Sequence, residues 1–382
     1  VKGLFWEQKD ESSIAEREIR KMRNMLFILF ITCLILIPPS VMAGPDYYGR
    51  MTTIVETYKT VEGDHAIPLY QYLNLTVDNP SGMQKDHYFY FYGRFSEDLL
   101  DHETKESEVY SAFLNIDKIW ARTDLTIGRQ FISTVAGSAV TDGIEIRINQ
   151  LAKRLKVMLF AGGDAQFVDK YEEGDWLVGG TLDLIGLERT NIGLSFFQRY
   201  DRWDVARRAM GLDLGYRIKT LAKLHAEVRY DFLSEMVDTF FLGSKLYIGK
   251  TATLSLDYYY NVPVFDTTDI YSVFAVDEYR EARVQADYRI SRLISLFCSY
   301  SHEFYEEGEP SDNVEIGTII RRYKDFDIYA SALFREGEDD LVGGVFQGHY
   351  YASNDLTIGA GISGDNYRMS DMDGSKTASR YF

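Results

Sequence analysis

Little in this chain can be cross-linked, kinked or wrapped around a cofactor. Two cysteines occur in 382 residues. Cys33 sits in an apolar run near the start, so Cys298 stands alone in the remainder and an intramolecular disulfide is excluded there. No Cys-x-x-Cys-His occurs, which excludes covalent attachment of c-type haem, and no other cofactor is expected. Seven prolines are few enough to permit long uninterrupted strands. Helical periodicity is not sustained anywhere after residue 44. No apolar run reaches the roughly 20 residues of a spanning helix. Basic charge is also short: 41 Lys and Arg stand against 58 Asp and Glu, a net charge of −17. That balance lacks the basic footprint of nucleic-acid binding.

The short apolar run has a meaning of its own. Met25 to Ile37 is preceded by Arg20, Lys21 and Arg23, and followed by Pro38-Pro39 and Val41-Met42-Ala43. A basic flank, a short apolar core and small residues at the end predict a secretory signal peptide over residues 1–43, cleaved after Ala43. Residues 1–21 are long and acidic for such a leader, and translation is expected to start at Met22 or Met25. Too few residues separate Ala43 from the first strand for a plug domain.

The remainder of the chain alternates. Met210, Leu212, Leu214, Tyr216 and Ile218 share one parity; Arg207, Gly211, Asp213, Gly215 and Arg217 share the other. After Lys219–Ala222 the pattern resumes, with Leu224, Ala226, Val228 and Tyr230 opposite His225, Glu227, Arg229 and Asp231. Period-two alternation makes each half a strand with one apolar face, and the short break makes the pair an antiparallel hairpin. Such segments recur about twenty times between residue 48 and the end, each of about ten residues, the length of a tilted membrane strand. Tight breaks such as Asp117-Lys118, Gly186–Arg189, Gly249-Lys250 and Lys324-Asp325 alternate with longer connections at 97–108, 132–142, 164–175, 263–279, 305–312, 336–340 and 364–373. Several of the longer ones are acidic. Aromatics make up 14% of the chain, with 28 Tyr.

The expectation is an all-β fold: a transmembrane antiparallel up-and-down β-barrel over 44–382, with about 20 strands (18 if the last do not pair), short periplasmic turns and longer outer loops. In a soluble two-layer protein the apolar faces would instead pack on each other, and alternation alone leaves that open. Charge facing the bilayer midplane costs about 2–4 kcal/mol for Lys or Arg, so charges confined to one parity define a lumen.

That parity carries Arg94, Arg122, Asp124, Glu145, Arg147, Asp183, Arg199, Asp213, Arg217, Glu227, Arg229, Asp257, Arg283, Asp287, Arg289 and Arg321. Opposed charges of this kind either screen solutes by a transverse field or pair with each other as a ladder inside the wall. Phe131 to Thr141 falls on the third outer loop, and its Ser133, Thr134, Ser138 and Asp142 either line a constriction or belong to an ordinary loop. Arg129 and Arg208 fall on the outward parity near the loop end. The six histidines lack metal-ligand spacing, and His225 beside Glu227 or Asp231 is the nearest approach to a catalytic pair, with no nucleophile nominated. Asn366, Asp371 and Asp373-Gly374 lack the full spacing of a calcium loop. No enzyme activity is expected.

Gly128-Arg129-Gln130 after Leu125-Thr126-Ile127, with Asp142-Gly143 opening the next strand, resembles the strand–loop–strand segment of general and specific porins, in many of which the third loop folds into the lumen. Tyr70-Gln71-Tyr72-Leu73-Asn74-Leu75, Gly93-Arg94 and Gly162-Gly163 are similar to barrels that accompany porin–cytochrome conduits. The terminal Phe382 resembles the closing aromatic that barrel assembly machinery reads in outer-membrane proteins, although the third residue from the end is Arg380 rather than an aromatic. The resemblance implies a bacterial outer-membrane location, contact with lipid and lipopolysaccharide, and passive diffusion of small hydrophilic solutes. The alternative it implies is a sheath for a multihaem cytochrome.

Overall fold

The computed structural model describes residues 46–56, 58–59, 65–79, 87–100, 105–152, 154–165, 174–263, 278–306, 308–337, 339–353, 356–369 and 376–381. The leader at 1–43, Phe382 and the Asp371–Gly374 loop lie outside them.

The strands are β1 (Asp46–Val55), β2 (Tyr58–Lys59), β3 (His65–Ala66), β4 (Pro68–Asp78), β5 (His87–Asp98), β6 (Lys105–Trp120), β7 (Thr123–Thr134), β8 (Gly137–Leu151), β9 (Leu155–Asp164), β10 (Trp176–Leu184), β11 (Thr190–Asp201), β12 (Asp204–Ile218), β13 (Ala222–Asp231), β14 (Met236–Ile248), β15 (Ala252–Asn261), β16 (Tyr279–Arg289), β17 (Ile294–Tyr305), β18 (Ser311–Tyr323), β19 (Phe326–Glu336), β20 (Asp339–Tyr351), β21 (Thr357–Met369) and β22 (Lys376–Tyr381). β2 and β3 form a small separate ribbon; the others make one 20-stranded sheet. β1 pairs with β4, and from β4 to β22 each strand pairs antiparallel with the next, the up-and-down order of a barrel. The last segment pairs with β21, so the count of 20 replaces the alternative of 18.

The register keeps the parity that the sequence shows. Leu212 faces Val228 across β12 and β13, and Asp213 faces Glu227. The apolar parity is uncovered: Leu159, Leu182, Leu194, Leu242, Leu256 and Val284 are all exposed. Large exposed hydrophobics repeating along a whole sheet belong to a surface that meets lipid rather than water, and this removes the two-layer soluble alternative. Aromatics gather at both rims of the band. At the loop rim Trp176 stacks on Tyr200 with centroids 4.5 Å apart, and Trp203 meets Trp176 edge-on at 6.3 Å. At the tight-turn rim Phe326 stacks on Tyr350 at 4.7 Å.

Turn chemistry explains several of the corners. Lys324 and Asp325 have φ of 49° and 68°, and Arg202 and Trp203 have 48° and 72°. Left-handed backbone at both central residues is that of the type I′ turn, whose twist matches the flanking strands. Two expectations shift. The β6–β7 turn lies at Ala121-Arg122 rather than Asp117-Lys118, because β6 continues through a bulge between Ile116 and Trp120. The segment 132–142 is no open loop: β7 and β8 continue through it and join at Val135-Ala136.

Candidate functional site: the inner wall and an inward-folded hairpin

The tip of the β7–β8 hairpin closes on itself. Thr134 Oγ1 donates to the Gly137 carbonyl at 2.9 Å and accepts the Gly137 N–H at 3.2 Å. The tip then reaches across the polar face of the sheet to strands well beyond its neighbours. The Ala136 N–H donates to Ser195 Oγ on β11 at 3.0 Å, and Ser195 Oγ donates to the Gly211 carbonyl on β12 at 3.4 Å. A Cβ on Gly211 would lie 2.6 Å from Ala136 N and 2.7 Å from Val135 C, so the wall admits the tip because this residue is glycine.

Beneath the hairpin lies a dry cluster: Ile132, Ala136, Met158, Phe160, Leu177, Phe197 and Ala209, all buried. Met158, Phe160, Leu177, Phe197 and Ala209 share the parity that elsewhere carries charge, shown by Arg147 facing Met158 and Leu177 facing Arg199 across the ladders. The hairpin therefore packs against the inside of the barrel. Ser133, Phe131 and Ser138 are exposed on its opposite side.

Charges flank the tip along the wall. Toward the tight turns, a cavity of about 280 Å³ is lined by Thr134, Arg147, Lys156, Thr181, Asp183 and Asp213. Arg147 pairs with Glu145 at 2.6 Å. Asp213 faces His225, whose Nε2 is 2.7 Å from Glu227 Oε1 and whose Nδ1 is 3.6 Å from Asp213 Oδ2. Glu227 is in hydrogen-bond reach of one ring nitrogen and Asp213 lies near the other, and the ligand atoms of the three groups are all within 4.8 Å of one another. The sequence places His225 beside Glu227 and Asp213 on the lumen-facing parity, but not the two together, because Asp213 comes from the adjoining strand. Asp231 instead caps the following turn through the N–H groups of Leu233 and Ser234, both at 2.9 Å.

Toward the loop rim, Arg199 pairs with Asp164. Asp238, fully buried, accepts Arg229 Nε at 2.6 Å and lies 3.5 Å from Arg207 Nη2. Asp238 is the extra residue of a bulge opposite Arg229/Tyr230. The bulge turns its carboxylate inward against the strand's alternation, which is why parity did not reveal it.

The remaining predicted residues share the polar face but are spread around it. Arg94 pairs with Glu108 at 3.1 Å. Asp124 accepts Asn149 Nδ2 at 2.6 Å and faces Arg147 in the ladder. Asp257 is opposite Arg283, and Asp287 accepts Thr253 Oγ1 at 3.1 Å. Arg217 lies opposite Lys223. Arg289 ends β16, and Arg122 and Arg321 sit at the tight-turn rim, Arg122 Nη1 donating to the Gln150 carbonyl at 3.2 Å. Asp142 is placed elsewhere: it shares the outward face with Arg129, which grips it through Nε at 2.7 Å and Nη2 at 2.6 Å. Arg208, also on that face, donates to Gln198 at 2.9 Å.

A continuous run of antiparallel strands, an exposed apolar belt with aromatic rims and a charged interior define the fold of a transmembrane antiparallel β-barrel. Among solved structures, the chain is similar to OccD3 (OpdP) of Pseudomonas aeruginosa, with a TM-score of 0.51 at 10% identity over 90% of this chain and 92% of that one. It also matches OccAB2 of Acinetobacter baumannii, with a TM-score of 0.49 at 10% identity over 90% of this chain and all of the other. No protein-family profile matches the sequence. No curated protein matches it either.

Proposed function

We propose that the chain is a channel for passive diffusion of small hydrophilic solutes across the bacterial outer membrane, narrowed by the hairpin 132–137. The observation that carries this reading is the seat of the tip on Ser195 and Gly211, with ionic groups along the wall on either side. A solute passing it meets Ser133, Thr134 and Ser138 from the hairpin and Arg147, Lys156, Asp183 and Asp213 from the wall. Arg147 has Glu145 as its counter-charge and Lys156 lies opposite Asp183 in the ladder, so the wall groups act as a polar lining with a modest net field rather than as one electrode. A sheath around a multihaem cytochrome needs a lumen clear along its length, and an inward hairpin favours the channel. Export by the leader at 1–43, insertion through recognition of Phe382 and contact of the outer rim with lipopolysaccharide complete the proposal, which assigns the chain no reaction. Planar-bilayer recording of the refolded barrel tests it. Stepwise conductance is expected, and correctly inserted protein without conductance steps would overturn the reading.

A further inference from the structure

One stretch of the inner wall is dominated by aromatic rings that stay partly exposed among the described residues. On β4, β5 and β6 the parity that faces inward carries Tyr72, Tyr88, Tyr90, Tyr92 and Phe113, as the pairings Tyr90 with Phe113, Phe113 with Gly128 and Gly128 with Gly143 establish. The apolar residues under the hairpin are buried by it, whereas these rings are all half-exposed. They make ring contacts in two groups, one of Tyr72 and Tyr92 and one of Phe113 with Tyr88 and Tyr90. Tyr72 and Tyr92 are nearly parallel, 20° apart with centroids at 6.3 Å, and Phe113 lies 5.3 Å from Tyr90 and 6.1 Å from Tyr88. Tyr88, Tyr90 and Tyr92 alternate along one strand, so the stripe extends about 13 Å along the wall.

Polar groups accompany the rings. A groove of about 480 Å³ is lined by Tyr72 and Tyr92 together with Arg50, Thr52, Ile54 and Asn74. That volume lies in the ordinary range of a small-molecule site, about 300–1,000 Å³. Asn74, in the lining of the groove, donates from Nδ2 to the Tyr90 hydroxyl at 2.9 Å. Arg94, at the next level, is neutralised by Glu108 at 3.1 Å.

We propose that this groove is a saccharide subsite on the transport path, and the proposal rests on the channel reading. A pyranose has faces of C–H groups, which lose little on leaving water for an aromatic ring, and an edge of hydroxyls that needs donors and acceptors together. Tyrosine rings supply the first at small conformational cost, and Arg50, Thr52 and Asn74 supply the second. A stripe of rings in place of a single pocket suits a short linear oligosaccharide, which exchanges one ring contact for the next as it moves.

The test is current block by maltotriose in bilayers that hold the refolded wild-type barrel. Millimolar sugar is expected to reduce the current reversibly. Tyr92→Ala and Tyr72→Ala are expected to raise the half-blocking concentration about tenfold, the loss of one stacking contact, whereas Tyr92→Phe keeps the block. Far-UV circular dichroism of each variant verifies the barrel. Open channels indifferent to maltotriose, block unchanged in both alanine variants, or block by 4-hydroxybenzoate without block by the sugar would overturn the saccharide subsite and leave the channel standing. If no conductance is seen, the channel reading fails, and calorimetric titration of the detergent-solubilised barrel with maltotriose decides the subsite by itself: saturable binding lost in Tyr92→Ala supports it, and no binding overturns it.

Discussion

At the scale of single residues, two positions and one ion pair carry more than their neighbours. Gly211 is one, because any larger side chain would occupy the place of Ala136 N and Val135 C. Gly211→Leu is expected to lift the hairpin tip from the wall and raise single-channel conductance; an unchanged conductance would show that the tip does not narrow the path. Asp238 is another. It is buried between Arg207 and Arg229, and Asp238→Ala leaves both guanidinium groups without their counter-charge. The expected loss is about 3–5 kcal/mol, to be read from urea unfolding in lipid vesicles. The third is the Arg129–Asp142 pair, a two-pronged bridge on the outward face at the ladder level of Trp176, where Asp142 lies opposite Gly163 and Gly163 opposite Trp176. Its placement at an aromatic rim, with each charge matched, is how a carboxylate can stand on a face that otherwise meets lipid.

At the scale of elements, the two faces of each strand predict opposite tolerance. Leu242→Arg, in the middle of β14 on the exposed apolar face, is expected to cost about 2–4 kcal/mol. Ser255→Arg, of the inward parity on β15, is expected to stay within about 0.5 kcal/mol. Parallel vesicle-unfolding curves compare them. The strands were legible in the sequence because a lipid-facing surface forces alternation at every turn of the pleat, and Leu254, Leu256 and Tyr258 obey it without exception along β15. The hairpin tip was legible only as an alternative between loop and constriction. Ser133 to Ala139 is small and uncharged, which reads as a loop, and nothing local says that it will bend inward. The signal was on other strands: Met158, Phe160, Leu177 and Phe197 place apolar side chains on the charged parity, which makes sense only if something dry covers them. Asp238 escaped for a different reason, since it lies at a bulge where counting by twos fails.

At the scale of the whole molecule, nearly all pairing is between neighbours in sequence, and the wall and the hairpin are separable parts. A chain in which residues 133–138 are replaced by a two-residue Asn-Gly turn is expected to fold as the same barrel, since the strands from β9 onward make their ladders without it. Its conductance is expected to rise, and the cavity beside Asp183 and Asp213 to open into the lumen. Bilayer recording with salts of unequal ion mobility measures both changes, and a deletion that abolished insertion would show that the hairpin is needed to build the wall.

The contact between β7 and β11, four strands apart in the sheet, also has a mechanical side. Strands bonded only to their neighbours form a hoop, and a hoop holds its circumference but not its outline: it flattens into an ellipse at little cost in bond length. A strut fixed from one arc to another removes that freedom over the arc it spans. With Ala136 fastened to Ser195, the arc from β7 to β12 is braced and resists that flattening.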